Sequence, residues 1–309
     1  MSKKYFHHIV FICLLVNFPT LNINGENIAE NQPDATTGVD IESVNSIKPG
    51  ITEIRIVSSK KETAAKIPVT IYTPPGKTIR GNILLLPGWK HSRLRWLNET
   101  NIKEHADNNG FRLICPEMNI TVYESKYFPE TTLKWADTPG LQWIHDFLIP
   151  AMRTKGIFLT SQNNFVLGLS TGARGAALVT LDNPSLFSAA AAFSGDFDQT
   201  KMPEDKLMTA VYGSFKQFPD RWLLIDNPVQ MARKWNTPLY LAHGTKDEVV
   251  PISQSRLFYA TLSKLHLLLD ITINMPEEAH NYLFWGSQSK IAMQFFNEYV
   301  NKNKVENVK

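Results

Sequence analysis

A chain of 309 residues, 43% hydrophobic and 20% charged, can bury a substantial core as one large domain or two small ones. Its formal charge of +3 is small, and no basic block with interleaved aromatic residues runs through it, which argues against nucleic acid as a partner.

The first residues pattern as a targeting segment. Lys3 and Lys4 form a short positive region, and a largely apolar stretch follows from about Tyr5 to Leu21, then polar residues through Gly25 and Glu26. The apolar core is short for a membrane span and lacks a stop-transfer flank, so the expectation for residues 1–25 is a signal peptide cleaved near Gly25. The mature protein would be secreted or periplasmic, without a stable membrane span; a retained anchor is the alternative. Cleavage would leave Cys115 as the one cysteine, which excludes an intramolecular disulfide. Cys115 stands in the strand-like run Phe111–Pro116 and is expected to be a buried structural thiol.

Residues 26–50 are polar with little periodicity and suit a flexible lead-in. Ile54–Val57 and Ile67–Tyr72 suggest two antiparallel edge strands, followed by the turn cluster Thr73-Pro-Pro-Gly-Lys77. Asn82–Leu86 is short and continuously polar-free after its first residue, as a central parallel strand buried on both faces would be. A helix-compatible stretch leads to Gly110, a candidate C-cap, and Phe111–Cys115 is the next strand. An aromatic loop with Tyr123, Tyr127, Phe128 and Trp135 precedes a helical pattern over about 138–153. Strands are expected at Phe165–Leu169, Ser188–Phe193, Pro238–Ala242 and Leu269–Ile273. Helices are expected over about 252–265 and 288–300, with residues 200–236 irregular and partly helical. Apolar strands alternating with helices predict an α/β fold with a mostly parallel central sheet and helices on both faces, built as one catalytic domain over residues 51–303.

One stretch carries chemistry. Phe165–Leu169 runs into Gly168-Leu-Ser-Thr-Gly172, and small residues with helical spacing follow. A G-x-S-x-G arises by chance in roughly one chain of this length in twenty, but strand, turn and helix around it are the context of a nucleophile elbow with Ser170 at the apex. A serine needs a base to take its proton, and a carboxylate to orient that base. Asp247 follows the strand Pro238–Ala242, with Asp196 and Asp198 as fallback acids. His280 follows the last strand and is the candidate base. His243 precedes the acid and is expected to be structural. The oxyanion hole would use the amides of Thr171, directly after the serine, and Trp89, in the loop Pro87-Gly-Trp-Lys90.

With these pieces in place the chain resembles the α/β-hydrolase superfamily from about Ile51 to Val300. More narrowly it is similar to the esterases typified by esterase D and S-formylglutathione hydrolase, which include feruloyl and acetylxylan esterases. The resemblance is carried by Gly168–Ala177, by Pro184–Gly195, by Asp226–Ala232, by His243-Gly-Thr-Lys-Asp247 and by Ala279–Tyr282. The sequence departs from those relatives at Thr171 and Ala173, where they carry Met and Gly, and at Leu86-Pro-Gly-Trp89, where they carry Leu-His-Gly. The resemblance implies the α/β-hydrolase fold and ester chemistry.

The expected function is therefore a secreted serine carboxylic-ester hydrolase that works through an acyl-enzyme with Ser170, His280 and Asp247. It would take a small-molecule or glycan-linked ester and need no metal or cofactor. Tyr127, Trp135 and Trp285 are candidates for lining the substrate pocket. The alternatives are an acyltransferase, thioesterase or peptidase with the same triad, or a non-catalytic binding protein that keeps the fold.

Overall fold

The computed structural model describes residues 47–300, which lie in one compact unit. The expected signal peptide and most of the lead-in fall outside the described residues. Eight strands form one sheet: β1 Gly50–Val57, β2 Lys66–Thr73, β3 Gly81–Leu86, β4 Phe111–Pro116, β5 Asn164–Leu169, β6 Ala189–Phe193, β7 Leu239–Ala242 and β8 Ile271–Asn274. Their order across the sheet is β1-β2-β4-β3-β5-β6-β7-β8. β1 with β2 and β2 with β4 are antiparallel, and every other neighbouring pair is parallel.

The helices are α1 Arg95–Glu99, α2 Ile102–Asn109, α3 Gly140–Trp143, α4 Ile149–Thr154, α5 Thr171–Asp182, α6 Lys206–Tyr212, α7 Pro219–Leu224, α8 Pro228–Met231, α9 Ser253–Leu265 and α10 Tyr282–Glu298. The single helix expected over 138–153 is α3 and α4 joined by a π-helical turn, Ile144–Leu148. Pro150, in the first turn of α4, offers no amide to the residues before it, and the wider turn accommodates that gap.

The central strands are buried on both faces, because alternate residues feed two cores. Leu84, Leu86, Val166, Ala190, Ala192, Leu239 and Leu241 pack in the core that contains α4, α5 and α9 residues such as Met152, Ala176 and Phe258. Leu85, Leu167, Leu169, Ala191, Phe193 and Ala242 face the other core, which includes Trp96, Ile102, Trp285 and Phe296 from α1, α2 and α10. Helices on both faces of a mostly parallel sheet is the architecture expected of the sequence.

Two boundaries moved. β1 starts at Gly50 rather than Ile54: its burial alternates from Thr52, but the exposed Ile51 hides the period. α10 starts at Tyr282 rather than near Gln288, because the Asn281 side chain accepts from the Phe284 amide and caps the helix there. Gly110 does end α2 in the left-handed conformation, at φ 69°.

The parallel registers align the carboxyl ends of the strands. Leu169 pairs with Phe193, Phe193 with Ala242, and Ala242 with Asn274. The ladder runs one residue further, with Ser170 N–H donating to Phe193 O at 2.8 Å and His243 N–H to Asn274 O at 3.0 Å. The loops that follow β5, β6, β7 and β8 therefore leave the sheet side by side, at the edge where α/β folds place their chemistry.

Candidate active site

Ser170 caps this edge between β5 and α5. Its φ of 54° is a left-handed conformation that strains any residue other than glycine, and it turns the side chain off the end of the strand. The glycines on either side are required by close approach: a Cβ on Gly168 would stand 1.9 Å from the Gly172 carbonyl oxygen, and one on Gly172 would stand 2.3 Å from Leu86 O. The turn can form only with both bare, so the helix start packs directly against β5 and β3.

The Ser170 hydroxyl lies 3.0 Å from His280 Nε2, and His280 Nδ1 lies 2.7 Å from Asp247 Oδ2. An ionised carboxylate only accepts, so the network assigns the ring hydrogen to Nδ1 and leaves Nε2 to accept from the serine. A hydroxyl facing the free nitrogen of an imidazole whose other nitrogen is held by a buried carboxylate can lose its proton at neutral pH. Asp247 Oδ1 in turn accepts from the amides of Val249 and Val250, each at 2.9 Å. Burial by itself would raise the Asp247 pKa, but hydrogen bonds from His243, His280 and the Val250 amide outweigh it and hold the carboxyl well below the usual range. The acid is therefore ionised at every working pH.

The base and acid loops are tied to each other. The Thr245 and Lys246 amides donate to Pro276 O at 2.8 Å and Glu278 O at 2.9 Å. His280 directly precedes the Asn281 cap, so the start of α10 fixes its backbone. Trp285, one turn into that helix, sets its ring edge-on to His280 with centroids 4.8 Å apart and donates to Ser194 Oγ at 3.2 Å.

The loop after β3 completes the edge. A Cβ on Gly88 would be 3.0 Å from the Ser170 Cβ, so this backbone passes beside the serine. Lys90, at φ 57°, donates its amide to Asn119 O at 2.7 Å, and His91 donates to Gly88 O at 3.0 Å. Tyr123 Oη donates to Pro87 O at 2.7 Å and anchors the loop from below. Thr171 opens α5, and amides in a first helical turn have no acceptor within the helix. The amides of Trp89 and Thr171 thus belong to the two segments that flank Ser170. The Trp89 side chain packs with Val122, Met208, Val211, Tyr212 and Trp222, a small apolar cluster where α6 and α7 meet the aromatic loop.

The pocket residues expected from sequence fare differently. Trp285 is 1% exposed and packs edge-on against His280, so its ring supports the imidazole from the core. Tyr127 and Trp135 are tied together, the Tyr127 hydroxyl accepting from the Trp135 amide at 3.1 Å, while Trp135 packs on Trp143 of the core with centroids 5.2 Å apart. The fallback acids have other partners: Asp196 pairs with Arg174 at 3.4 Å, and Asp198 accepts from Thr200 and from Asn227. His266, which also follows Asp247 in the chain, donates Nε2–H to Ala232 O at 2.8 Å. Cys115 is fully buried, and burial pushes its thiol up, as expected of a structural cysteine.

Sequence reasoning missed two groups. His91 accepts from Tyr282 Oη at 3.1 Å, and burial, then the nearby positive charge of Arg95, pull it down to about 4, so a second neutral imidazole sits close to His280. Arg174 is fully buried one turn after the serine, bonded to Gln199 at 2.9 Å, to Tyr212 at 3.3 Å and to the Asp226 carbonyl. An arginine among Ala173, Gly175, Ala176 and Ala177 was the available signal, since a helix buried all round tolerates a charge only when it is paired. Among the described residues no group of three or more His, Cys, Asp or Glu is gathered as a metal site would require. No described helix is long and apolar enough to cross a membrane.

The fold has many solved counterparts. A fluorophosphonate-binding serine hydrolase F of Staphylococcus aureus superposes with a TM-score of 0.62 at 17% identity, over 81% of this chain and 99% of its own. An S-formylglutathione hydrolase of Agrobacterium tumefaciens gives 0.64 at 15% identity, over 84% and 99%. The acylaminoacyl peptidase of Pyrococcus horikoshii gives 0.61 at 16%, over 83% of this chain but 42% of its own length. These likenesses show the α/β-hydrolase fold. No curated protein matches the chain in sequence. Residues 142–303, which carry Ser170, Asp247 and His280, match the prolyl oligopeptidase family, and the chain belongs to that family of serine hydrolases.

Proposed function

We propose that the protein is a secreted serine hydrolase that cleaves carboxylic esters through an acyl-enzyme. The observation that carries this reading is the hydrogen-bonded series Ser170, His280 and Asp247, at 3.0 Å and 2.7 Å. Ser170 Oγ attacks the acyl carbonyl while its proton passes to His280 Nε2. The amides of Trp89 and Thr171 donate to the oxyanion that forms. The imidazolium, steadied by Asp247, gives its proton to the departing alcohol, leaving the acyl group on Ser170. Water, deprotonated by the same imidazole, then releases the acid and restores the serine. Export is supported by Lys3, Lys4 and the apolar stretch behind them, and the catalytic domain spans residues 51–303.

A second reading, cleavage of a peptide or acyl-amide bond, is favoured by membership of the prolyl oligopeptidase family. The same triad serves both, with an amine as leaving group in place of an alcohol. The test is hydrolysis of short p-nitrophenyl esters against aminoacyl p-nitroanilides by the wild-type protein and by Ser170→Ala. Ester turnover that vanishes in the variant supports the main reading. Faster turnover of the anilides supports the second, and a Ser170→Ala protein with unchanged activity overturns both. The N-terminal sequence of protein recovered outside the cytoplasm tests export: it is expected to begin near Glu26.

A further inference from the structure

His243 is a buried titratable residue that the reaction above does not use. It directly follows β7 and is fully buried. Its Nε2 stands 3.0 Å from Val250 O and 3.2 Å from Asp247 Oδ2, the oxygen that also accepts from His280. Its Nδ1 stands 2.7 Å from Ser255 Oγ in the first turn of α9. The hydrogens follow from the partners. A carbonyl and a carboxylate only accept, so Nε2 carries the hydrogen and serves them as a three-centre donor; the Ser255 hydroxyl then donates to Nδ1. Ser255 thereby fixes the tautomer that lets His243 reach the acid.

The Asp247 carboxylate is saturated by this arrangement. Oδ1 takes two backbone amides, and Oδ2 takes two imidazoles. Two amides alone leave the carboxylate free to pivot about their common oxygen. A second fixed donor at Oδ2 sets the plane in which His280 must approach. The donor also shares the charge that would otherwise be directed at His280 alone.

We propose that His243 is a positioning residue for the acid, so that the hydrogen-bonded series behind the nucleophile has four side chains, Ser170, His280, Asp247 and His243, locked at its far end by Ser255, while the proton itself moves only between Ser170 and His280. The proposal rests on the reading of the first three as the catalytic triad. His243 is sealed from the substrate side, so it acts on the chemical step and not on binding.

The test compares His243→Phe, which keeps ring volume without a donor, His243→Gln, which keeps an N–H near the position of Nε2, and Ser255→Ala, with folding of each checked by circular dichroism. On the p-nitrophenyl ester, His243→Phe is expected to lower kcat by about 10- to 100-fold, the range for residues that orient a functional group from behind, with KM unchanged. The acid limb of its kcat/KM profile moves to higher pH, because more of the carboxylate charge then favours the imidazolium of His280. His243→Gln restores most of kcat, and Ser255→Ala changes kcat and the profile in the same direction as His243→Phe. A folded His243→Phe with wild-type kcat, or equal impairment in Phe and Gln, overturns the proposal. If the Phe variant does not fold, a Ser255→Ala protein with unchanged kcat and profile overturns it. Ser170→Ala separates the two layers: an active Ser170→Ala removes the triad itself, whereas an inactive one beside wild-type His243 variants removes only the role of His243.

Discussion

Gly244 lies so close to Glu278 that a Cβ built on it would stand 2.0 Å from the Glu278 carbonyl oxygen. This contact joins the loop that carries Asp247 to the loop that carries His280, and it lies beside the bond from the Lys246 amide to the same carbonyl, at 2.9 Å. A methyl group at position 244 must push backbone from backbone, with no flexible side chain to absorb the shift. Gly244→Ala is therefore expected to lengthen the bond between Asp247 and His280. Unfolding in denaturant should show a loss of about 1–3 kcal/mol, as overpacking does. The kcat should fall by at least about tenfold, since displacement of reacting groups by about 1 Å can cost a hundredfold. A stable variant with wild-type kcat would show that the loops move independently.

Asp247→Asn leaves the carboxylate's shape but reverses part of its hydrogen bonding, and kcat is expected to fall by about 10,000-fold with KM little changed. Asp198→Asn is expected to retain catalysis, because its side chain serves Thr200 and Asn227. The reverse result would reassign the acid. Stability gives a second readout. Asp247 is held below its unfolded value of about 3.9, so its ionised form stabilises the fold above that pH and the contribution is lost only as pH falls through the folded value, in strong acid. The difference in Tm between wild type and Asp247→Asn should therefore not shrink as pH is lowered from 8 to 5.

The sequence was legible where one local rule decided the outcome. Runs such as Asn82–Leu86 suit central strands buried on both faces, and Gly168 and Gly172 marked the elbow, where the turn leaves no room for a side chain on either. Ser170, Asp247 and His280 were nameable because each follows a strand in an order that the fold requires. What stayed hidden depends on distant contacts. Nothing near Trp285 in the chain says that its ring is buried against His280, and a tryptophan close to a histidine reads equally well as pocket lining. The partners of Arg174, among them Gln199 and Tyr212, come from segments with weak periodicity, where only the folded chain brings them together.

Asp196 gives the protein a pH-dependent stability distinct from the site. Burial raises its pKa to about 6, a shift that Arg174 offsets only in part. A carboxyl whose folded value lies above its unfolded value of about 3.9 contributes stability that is complete below that value and is lost as pH rises through about 6. The Tm of the wild type should fall between pH 4 and pH 7 by this contribution. Asp196→Asn keeps an oxygen for Arg174 and does not ionise, so it should flatten that part of the profile. An unaltered slope in the variant would place the titration elsewhere.

Tyr123 links the core to the loop after β3. Its ring lies against Gly175 of α5, where a Cβ would stand 2.6 Å from the ring, and its hydroxyl donates to Pro87 O at 2.7 Å. The Pro87 carbonyl begins the peptide that leads through Gly88 to the Trp89 amide, so the phenol holds the backbone next to the amide proposed as an oxyanion donor. Tyr123→Phe keeps the ring and removes the hydrogen bond, leaving a buried carbonyl without its donor at a cost of about 1–3 kcal/mol. Loss of an oxyanion donor costs about 100- to 1,000-fold in kcat, and misdirecting one through its loop should cost less, about tenfold. Burial raises the Tyr123 hydroxyl well above its ordinary value, so it remains a donor throughout the working range and the variant's pH profile should run parallel to that of the wild type. Steady-state kinetics on the p-nitrophenyl ester check this: a fall in kcat at constant KM supports the positioning role, whereas a rise in KM alone would place Tyr123 in substrate binding.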